Sequence, residues 1–179
     1  MEFKELVESR RSIRKYDETK KISKEQLAEL VATALEAPSW KNSETARYYC
    51  VVSDEVITKI REEGLPEFNN KNSTGAAYIV TSFVPGISGY DRVTGEPTNE
   101  CGNGWGYYDL GLASENIVLA ARDSGLDTLI MGIRDSEKIK EILDIPENEV
   151  VVSVIAVGYR AVNPEKPKRK SIDEVAKFV

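Results

Sequence analysis

The chain has 179 residues, 41% of them hydrophobic and 30% charged, with a formal net charge of −6. That balance fits a folded globular chain and excludes disordered and fibrous classes. An acidic chain also opposes general nucleic-acid binding, which selects for basic surfaces. It contains no histidine, so the commonest general base and metal ligand is missing, and with it the Ser-His-Asp and Cys-His triads. Chemistry must come from other side chains or from a cofactor. No apolar run approaches the roughly 20 residues that span a bilayer. Residues 1–12 lack the apolar core and cleavage site of a signal peptide, so a cytoplasmic location is expected.

Phe3, Leu6 and Val7 stand at helical spacing and predict a first helix. It gives out in Arg10-Arg11-Ser12-Ile13-Arg14-Lys15. The planar fork of arginine matches phosphate oxygens in pairs, and Ser12 adds a donor. Taken alone, the segment fits a solvated basic turn as readily as an anion site. A capping box at Ser23 and Gln26 opens a second helix. Its stripe of Leu27, Leu30, Val31, Ala34 and Leu35 runs to a stop at Pro38. Pro38-Ser39-Trp40-Lys41-Asn42-Ser43-Glu44 then gathers amide, hydroxyl and ammonium groups. These suit either a capped loop or the N–H and C=O edge of a planar heteroaromatic ring.

Residues 47–52 predict a strand that puts Cys50 in the core, and Cys50 and Cys101 share no metal or redox spacing. A short helix stopping near Gly64 follows, then a second strand over 76–84. Residues 86–104 form a long loop holding five glycines, and loops of that length in compact domains are usually functional or mobile. Residues 105–124 carry the longest helical pattern, with Leu110, Ala113, Ile117, Ala120 and Ala121 on the buried side. Gly111 and Ala113 would let another element approach it closely.

A strand over 127–133 contains Met131-Gly132, where glycine allows a ligand close to the backbone. A short helix over 136–143 and a buried strand over 150–157 come next. The tail is basic at Lys166-Pro167-Lys168-Arg169-Lys170 and apolar at Val175, Phe178 and Val179. Solvation is the ordinary fate of such a tail; docking on a partner subunit is the alternative. Four strands interleaved with helices indicate a helix-covered sheet. Two basic clusters on an acidic chain suit a small anionic ligand. No GxGxxG follows a strand, so a dedicated dinucleotide fold is not expected.

In this order the segments resemble the nitroreductase family over nearly the whole chain. The family's Arg-Arg-Ser-x-Arg is matched at Arg10, Arg11, Ser12 and Arg14. Its Pro-Ser-x-x-Asn-Ser is matched at Pro38, Ser39, Asn42 and Ser43, and its Asp-x-Gly-x-Ala-x-x-Asn helix at Asp109, Gly111, Ala113 and Asn116. Gly132 and Asp135, the strand end at 155–159, and the tail over 169–175 complete the series.

The resemblance implies an α+β fold, a central mixed sheet flanked by helices. It implies a single FMN-binding domain over 1–179 and a homodimer whose tail extends onto its partner. FMN would lie between the subunits, its phosphate held by Arg10, Arg11, Ser12, Arg14 and Arg169. Pro38, Ser39, Trp40, Lys41 and Asn42 would meet the ring edge, with the Met131-Gly132 backbone on the other side. A residue near Asn72 from the partner would complete the site.

No side chain would be catalytic: NADH or NADPH would reduce flavin N5, and an acceptor such as a nitro compound or quinone would follow in ping-pong order. Lys41 is the candidate to stabilise charge on the reduced ring. Neither nucleic acid nor membrane is an expected partner. Dehalogenation, dehydrogenation and flavin breakdown are alternatives on the same fold, and a non-catalytic FMN-binding protein is another. Glu44-Thr45-Ala46 departs from the family's Gln-Pro-Trp, and Trp40 stands where small residues are frequent. Loop 86–104 resembles the variable region that covers the flavin.

Overall fold

The computed structural model describes residues 1–179. Its frame is a four-stranded sheet in the order β1–β2–β4–β3. The strands are Ala46–Val51 (β1), Ala77–Phe83 (β2), Asp127–Met131 (β3) and Val150–Gly158 (β4). The helices are Phe3–Ser9 (α1), Lys24–Leu35 (α2), Asp54–Lys59 (α3), Glu67–Asn72 (α4), Gly104–Asp123 (α5) and Ser136–Leu143 (α6). None is long and apolar enough to cross a membrane.

The α+β class stands, but the strands are not mixed in direction. All three pairings are antiparallel, with Tyr49 opposite Val80 and with Ile155 opposite both Ile79 and Ile130. α6 returns the chain from β3 to the same end of the sheet, so β4 runs back beside β3 without a crossover. The parallel contact is a single bridge from Ser12 to Thr128 on the outer edge of β3.

Alternation along the strands divides the core in two. Tyr78, Val80, Leu129, Met131 and Val154 face one side, where Ile13, Tyr16, Ile60, Leu65 and Ile139 cover them. Ala77, Ile79, Ile155 and Val157 face the other, under α2 (Leu27, Leu30, Ala34) and α5 (Ala113, Ile117, Ala121). The capping box forms as expected: Ser23 Oγ accepts the Gln26 N–H at 3.2 Å, and Gln26 Oε1 accepts the Ser23 N–H at 3.0 Å.

Several local expectations are corrected. Cys50 is exposed, because β1 is an edge strand: the residue lies opposite Ile79, on the face toward α2 and α5, but at the uncovered rim of the sheet. β3 stops at Met131, not Ile133, because side chains take the next carbonyls. Arg134 donates to Gly132 O at 2.8 Å, and Asn69 donates to Ile133 O at 2.8 Å. The helix after β1 does stop at Gly64 as expected, its end a π turn over Ile60–Gly64, where a Cβ on Gly64 would stand 2.7 Å from Ile139. On α5 the close approach is at Gly106, whose Cβ would lie 2.4 Å from the Phe83 ring, while Gly111 faces open space.

Candidate functional site

α1 ends at Arg10, where the backbone turns extended. Ile13 then plugs the core, and its N–H donates to Thr128 O at 2.9 Å. With Ile13 inward, extended geometry throws Ser12 and Arg14 outward. The tail is brought back to them by a second zipper. Tyr16 bridges Arg160, the Asp17 N–H donates to Tyr159 O at 2.8 Å, and the Ala161 N–H donates to Lys15 O at 2.9 Å.

The result is a cavity of about 430 Å³ lined by Arg10, Arg11, Ser12, Arg14, Pro164, Glu165, Pro167 and Arg169. Four guanidiniums there face one carboxylate. Arg11 is occupied by the Glu8 and Arg10 carbonyls, at 2.7 and 2.6 Å, and Arg14 reaches Ser12 O at 3.4 Å. The Arg10 and Arg169 side chains have neither a hydrogen-bond nor a carboxylate partner in the chain. Their forks are free, and a phosphate oxygen pair would fit such a donor set.

The segment after α2 is built differently. Lys41, Asn42 and Glu44 all have positive φ, at 48°, 53° and 50°. For residues with a side chain this conformation costs roughly 1–2 kcal/mol each, and it persists only where the surroundings enforce it. Asp109 supplies that enforcement from α5. Its Oδ2 accepts the Trp40 N–H at 3.0 Å and the Ser88 hydroxyl, and Ser88 shares a 2.7 Å hydrogen bond with Ser43.

Asn42 Nδ2 donates to Glu44 Oε1 at 2.7 Å, and the Glu44 N–H to Ser39 Oγ at 3.1 Å. The Trp40 ring lies 4.6 Å from that of Trp105, which is 5.6 Å from Tyr108. Lys41 Nζ stands 6.0 Å from the centre of the Trp40 ring. Loop 86–104 closes over this turn: Arg92 donates to Lys41 O at 3.2 Å and Trp105 Nε1 to Asn99 Oδ1 at 3.0 Å. Pro38 and Ser39 line a separate cavity of only about 40 Å³ beside Asp109.

The two groups do not meet within one chain. Residues 38–44 lead into β1 and pack on the face covered by α2 and α5, whereas Ser12 joins β3 at the opposite edge. Three strand spacings, about 14 Å, separate the edges. Neither Asn72 nor Gly132 lines the arginine cavity; Asn72 ends α4, on the sheet face that Ile13 covers. α4 packs on that face, tied by Asn69 to the carbonyl of Ile133 and by Ser73 to the Tyr78 hydroxyl at 2.7 Å. Asn72 Nδ2 is buried without a partner, and Met131 turns its side chain into the core while Gly132 is open.

Asp109, Ser88 and Trp105 were not singled out as site residues by the sequence. Asp109 stood in a helix motif with no stated role, and Ser88 carries no local signal.

A sequence model of the nitroreductase family matches residues 7–77 and 94–159. A relative from Archaeoglobus fulgidus, provisionally named NADH dehydrogenase/NAD(P)H nitroreductase, is 32% identical over 158 residues, 86% of this chain and 83% of that one. The crystal structure of a nitroreductase family protein from Clostridium novyi NT is 29% identical, with a TM-score of 0.73 over 93% of this chain and 89% of its own. A Staphylococcus epidermidis structure, provisionally named NAD(P)H:FMN oxidoreductase, is 26% identical with a TM-score of 0.84, over 99% and 96%. The same fold, at 24% identity and a TM-score of 0.79 over 100% and 98%, occurs in an Exiguobacterium sibiricum protein solved with FMN. Matched over most of its length in sequence and in fold, the chain belongs to the nitroreductase family.

Proposed function

We propose that this chain is an FMN-dependent oxidoreductase that uses NADH or NADPH to reduce small acceptors such as nitro compounds or quinones. It acts as a cytoplasmic homodimer of one-domain subunits spanning 1–179. The observation that carries this reading is the arginine cavity, where the forks of Arg10 and Arg169 are unspent beside the Ser12 hydroxyl. Such a donor set fits a phosphomonoester. The orphaned Asn72 amide on the same face fits a polar group further along the ligand, since buried donors are rarely left unpaired. The FMN named for the Exiguobacterium and Staphylococcus proteins has both features.

When bound, FMN supplies the hydride-accepting and hydride-donating chemistry. Arg10, Arg11, Ser12, Arg14 and Arg169 bind its phosphate. From Thr128, beside Ser12, to Gly132 the strand direction spans four residues, about 13 Å. The open backbone at Met131-Gly132 therefore lies where the ring end would reach. Pro38, Ser39, Trp40, Lys41 and Asn42 come from the second subunit, because one chain holds them on the far side of its sheet. Lys41 offsets negative charge on the reduced ring.

Nicotinamide and acceptor use one open face in turn, which is ping-pong order. Exposed Phe3, Tyr108, Ile133, Val175 and Phe178 leave apolar surface of the kind a subunit contact covers. Anaerobic titration tests the reading. The purified protein should bind equimolar FMN, and NAD(P)H should bleach it. Failure to take up FMN overturns the proposal, and bound flavin that NAD(P)H leaves oxidised identifies a non-catalytic FMN binder.

A further inference from the structure

Asp109 is buried, only 5% exposed, in the second turn of α5, and it forms no ion pair. Both of its side-chain hydrogen bonds converge on Oδ2, from the Trp40 N–H and the Ser88 hydroxyl, while Oδ1 makes none. One oxygen thus joins two segments far apart in sequence. The first is the turn at 40–44, with three non-glycine residues in the left-handed region. The second is the start of loop 86–104, whose Ser88 also reaches Ser43. Left-handed conformations at side-chain-bearing residues stand only where neighbours over-determine them. The Asp109 Oδ2 contact to the first residue of that turn is the constraint that reaches it from a helix.

We propose that Asp109 is a positioning residue: it clamps the 40–44 turn and the covering loop in one arrangement. It thereby sets how Trp40, Lys41 and Asn42 are presented to the flavin ring, without touching the ring itself. This rests on the reading above that the chain binds FMN. Position, not charge, is the property required. An asparagine whose Oδ1 replaced Oδ2 would accept the same two bonds, and its amide would take the place of Oδ1, which no group of the chain uses.

Asp109→Ala, Asp109→Asn and Ser88→Ala are compared with wild type, first without flavin. Near-ultraviolet circular dichroism reads the Trp40–Trp105 pair, whose centroids are 4.6 Å apart at 50°. Amide exchange reads residues 40–44 and 86–104. Asp109→Ala should lose the tryptophan signal and exchange faster in both segments, Asp109→Asn should restore both, and Ser88→Ala should loosen the loop more than the turn.

With FMN bound, Asp109→Ala should lower acceptor kcat/KM by about tenfold or more, as sub-ångström misplacement does. FMN affinity should fall far less than in Arg10→Ala. Wild-type tryptophan dichroism and exchange in Asp109→Ala would overturn the proposal, and so would an Asp109→Asn variant as impaired as the alanine. Should the alanine variant fail to fold, unchanged exchange in Ser88→Ala overturns it. Failure of wild type to bind FMN defeats the functional reading instead, and the flavin-free comparison tells the two apart.

Discussion

Arg160 grips Asp127 with two nitrogens at the base of β3, where Asp127 is 2% exposed. Arg122 adds a weaker contact at 3.8 Å. The pair sits one residue before Thr128, which carries Ser12, and it anchors Arg160, which begins the tail. Removing one partner of a buried pair costs about 3–5 kcal/mol, because the other charge is stranded. Arg160 keeps some solvent access, so Asp127→Asn should cost about 3 kcal/mol, the lower end of that range.

A urea midpoint indistinguishable from wild type would show that Arg160 is served by water instead. The bonds to Asp127 hold Arg160 above its ordinary value. A raised folded-state value stabilises fully below the unfolded one, so this contribution is complete at every working pH and is lost only in strong alkali.

At the arginine cavity, proposed for the FMN phosphate, Arg10→Ala removes an unspent fork. A hydrogen bond to a charged group contributes about 1.5–3 kcal/mol, so FMN affinity should fall by roughly tenfold to a hundredfold. Riboflavin lacks the phosphate and should bind weakly to both forms, nearly indifferent to the change. Isothermal titration with the two flavins makes the comparison, and equal losses would mean that Arg10 acts through folding.

Much of the scaffold was readable because it is written locally. The capping box, the stripe of α2, the bounds of α6 and the apolar strands all follow from residues within a few positions of one another. α4 was not readable, since Glu67-Phe68-Asn69-Asn70-Lys71-Asn72 has no apolar stripe and is rich in asparagine, a weak helix former. Cys50 looked buried because apolar neighbours do not reveal that a strand lies at an edge. The site residues were named individually, yet their division between two faces of the sheet depends on strand order, which no single segment encodes. The left-handed turn was equally hidden: lysine, asparagine and glutamate carry no mark of it, and the carboxylate enforcing it lies 69 positions from Trp40.

Loop 86–104 should respond to acid. Asp91 Oδ1 accepts the Val93 and Thr94 N–H groups, both at 2.9 Å, and the Thr94 hydroxyl at 3.3 Å. Those bonds, the Thr94 amide first, hold its carboxyl below the ordinary 3.8, with nearby Lys41 helping. A depressed folded-state value stabilises above the unfolded one and is lost as pH falls through the folded one. Amide exchange at Val93 and Thr94, corrected for intrinsic rates, should therefore be constant above about pH 5 and accelerate below pH 3.8. Asp91→Asn should abolish that acid step, and a step that survives in the variant would assign it elsewhere.

On the proposed dimer, the tail would link the two halves of the site. Arg169 lines the arginine cavity, while Ile172, Val175 and Phe178 beyond it stand more than two-thirds exposed, at 67%, 69% and 84%. Side chains of that size contribute about 1.5–3 kcal/mol each when buried, and their own subunit offers them no cover. Their placement on the partner would also bring the partner's 38–42 turn toward the cavity, which one chain cannot do. Deleting 164–179 should therefore give a monomer or aggregate with little bound flavin.

Val175→Ser with Phe178→Ser separates the two roles, because Arg169 stays in place. Sedimentation should show a weakened dimer, and flavin absorbance should fall with it even though every phosphate ligand remains. A frayed terminus, the common fate of chain ends, would instead leave the double variant dimeric and yellow, and a yellow dimer after the full deletion would sink the shared-site reading.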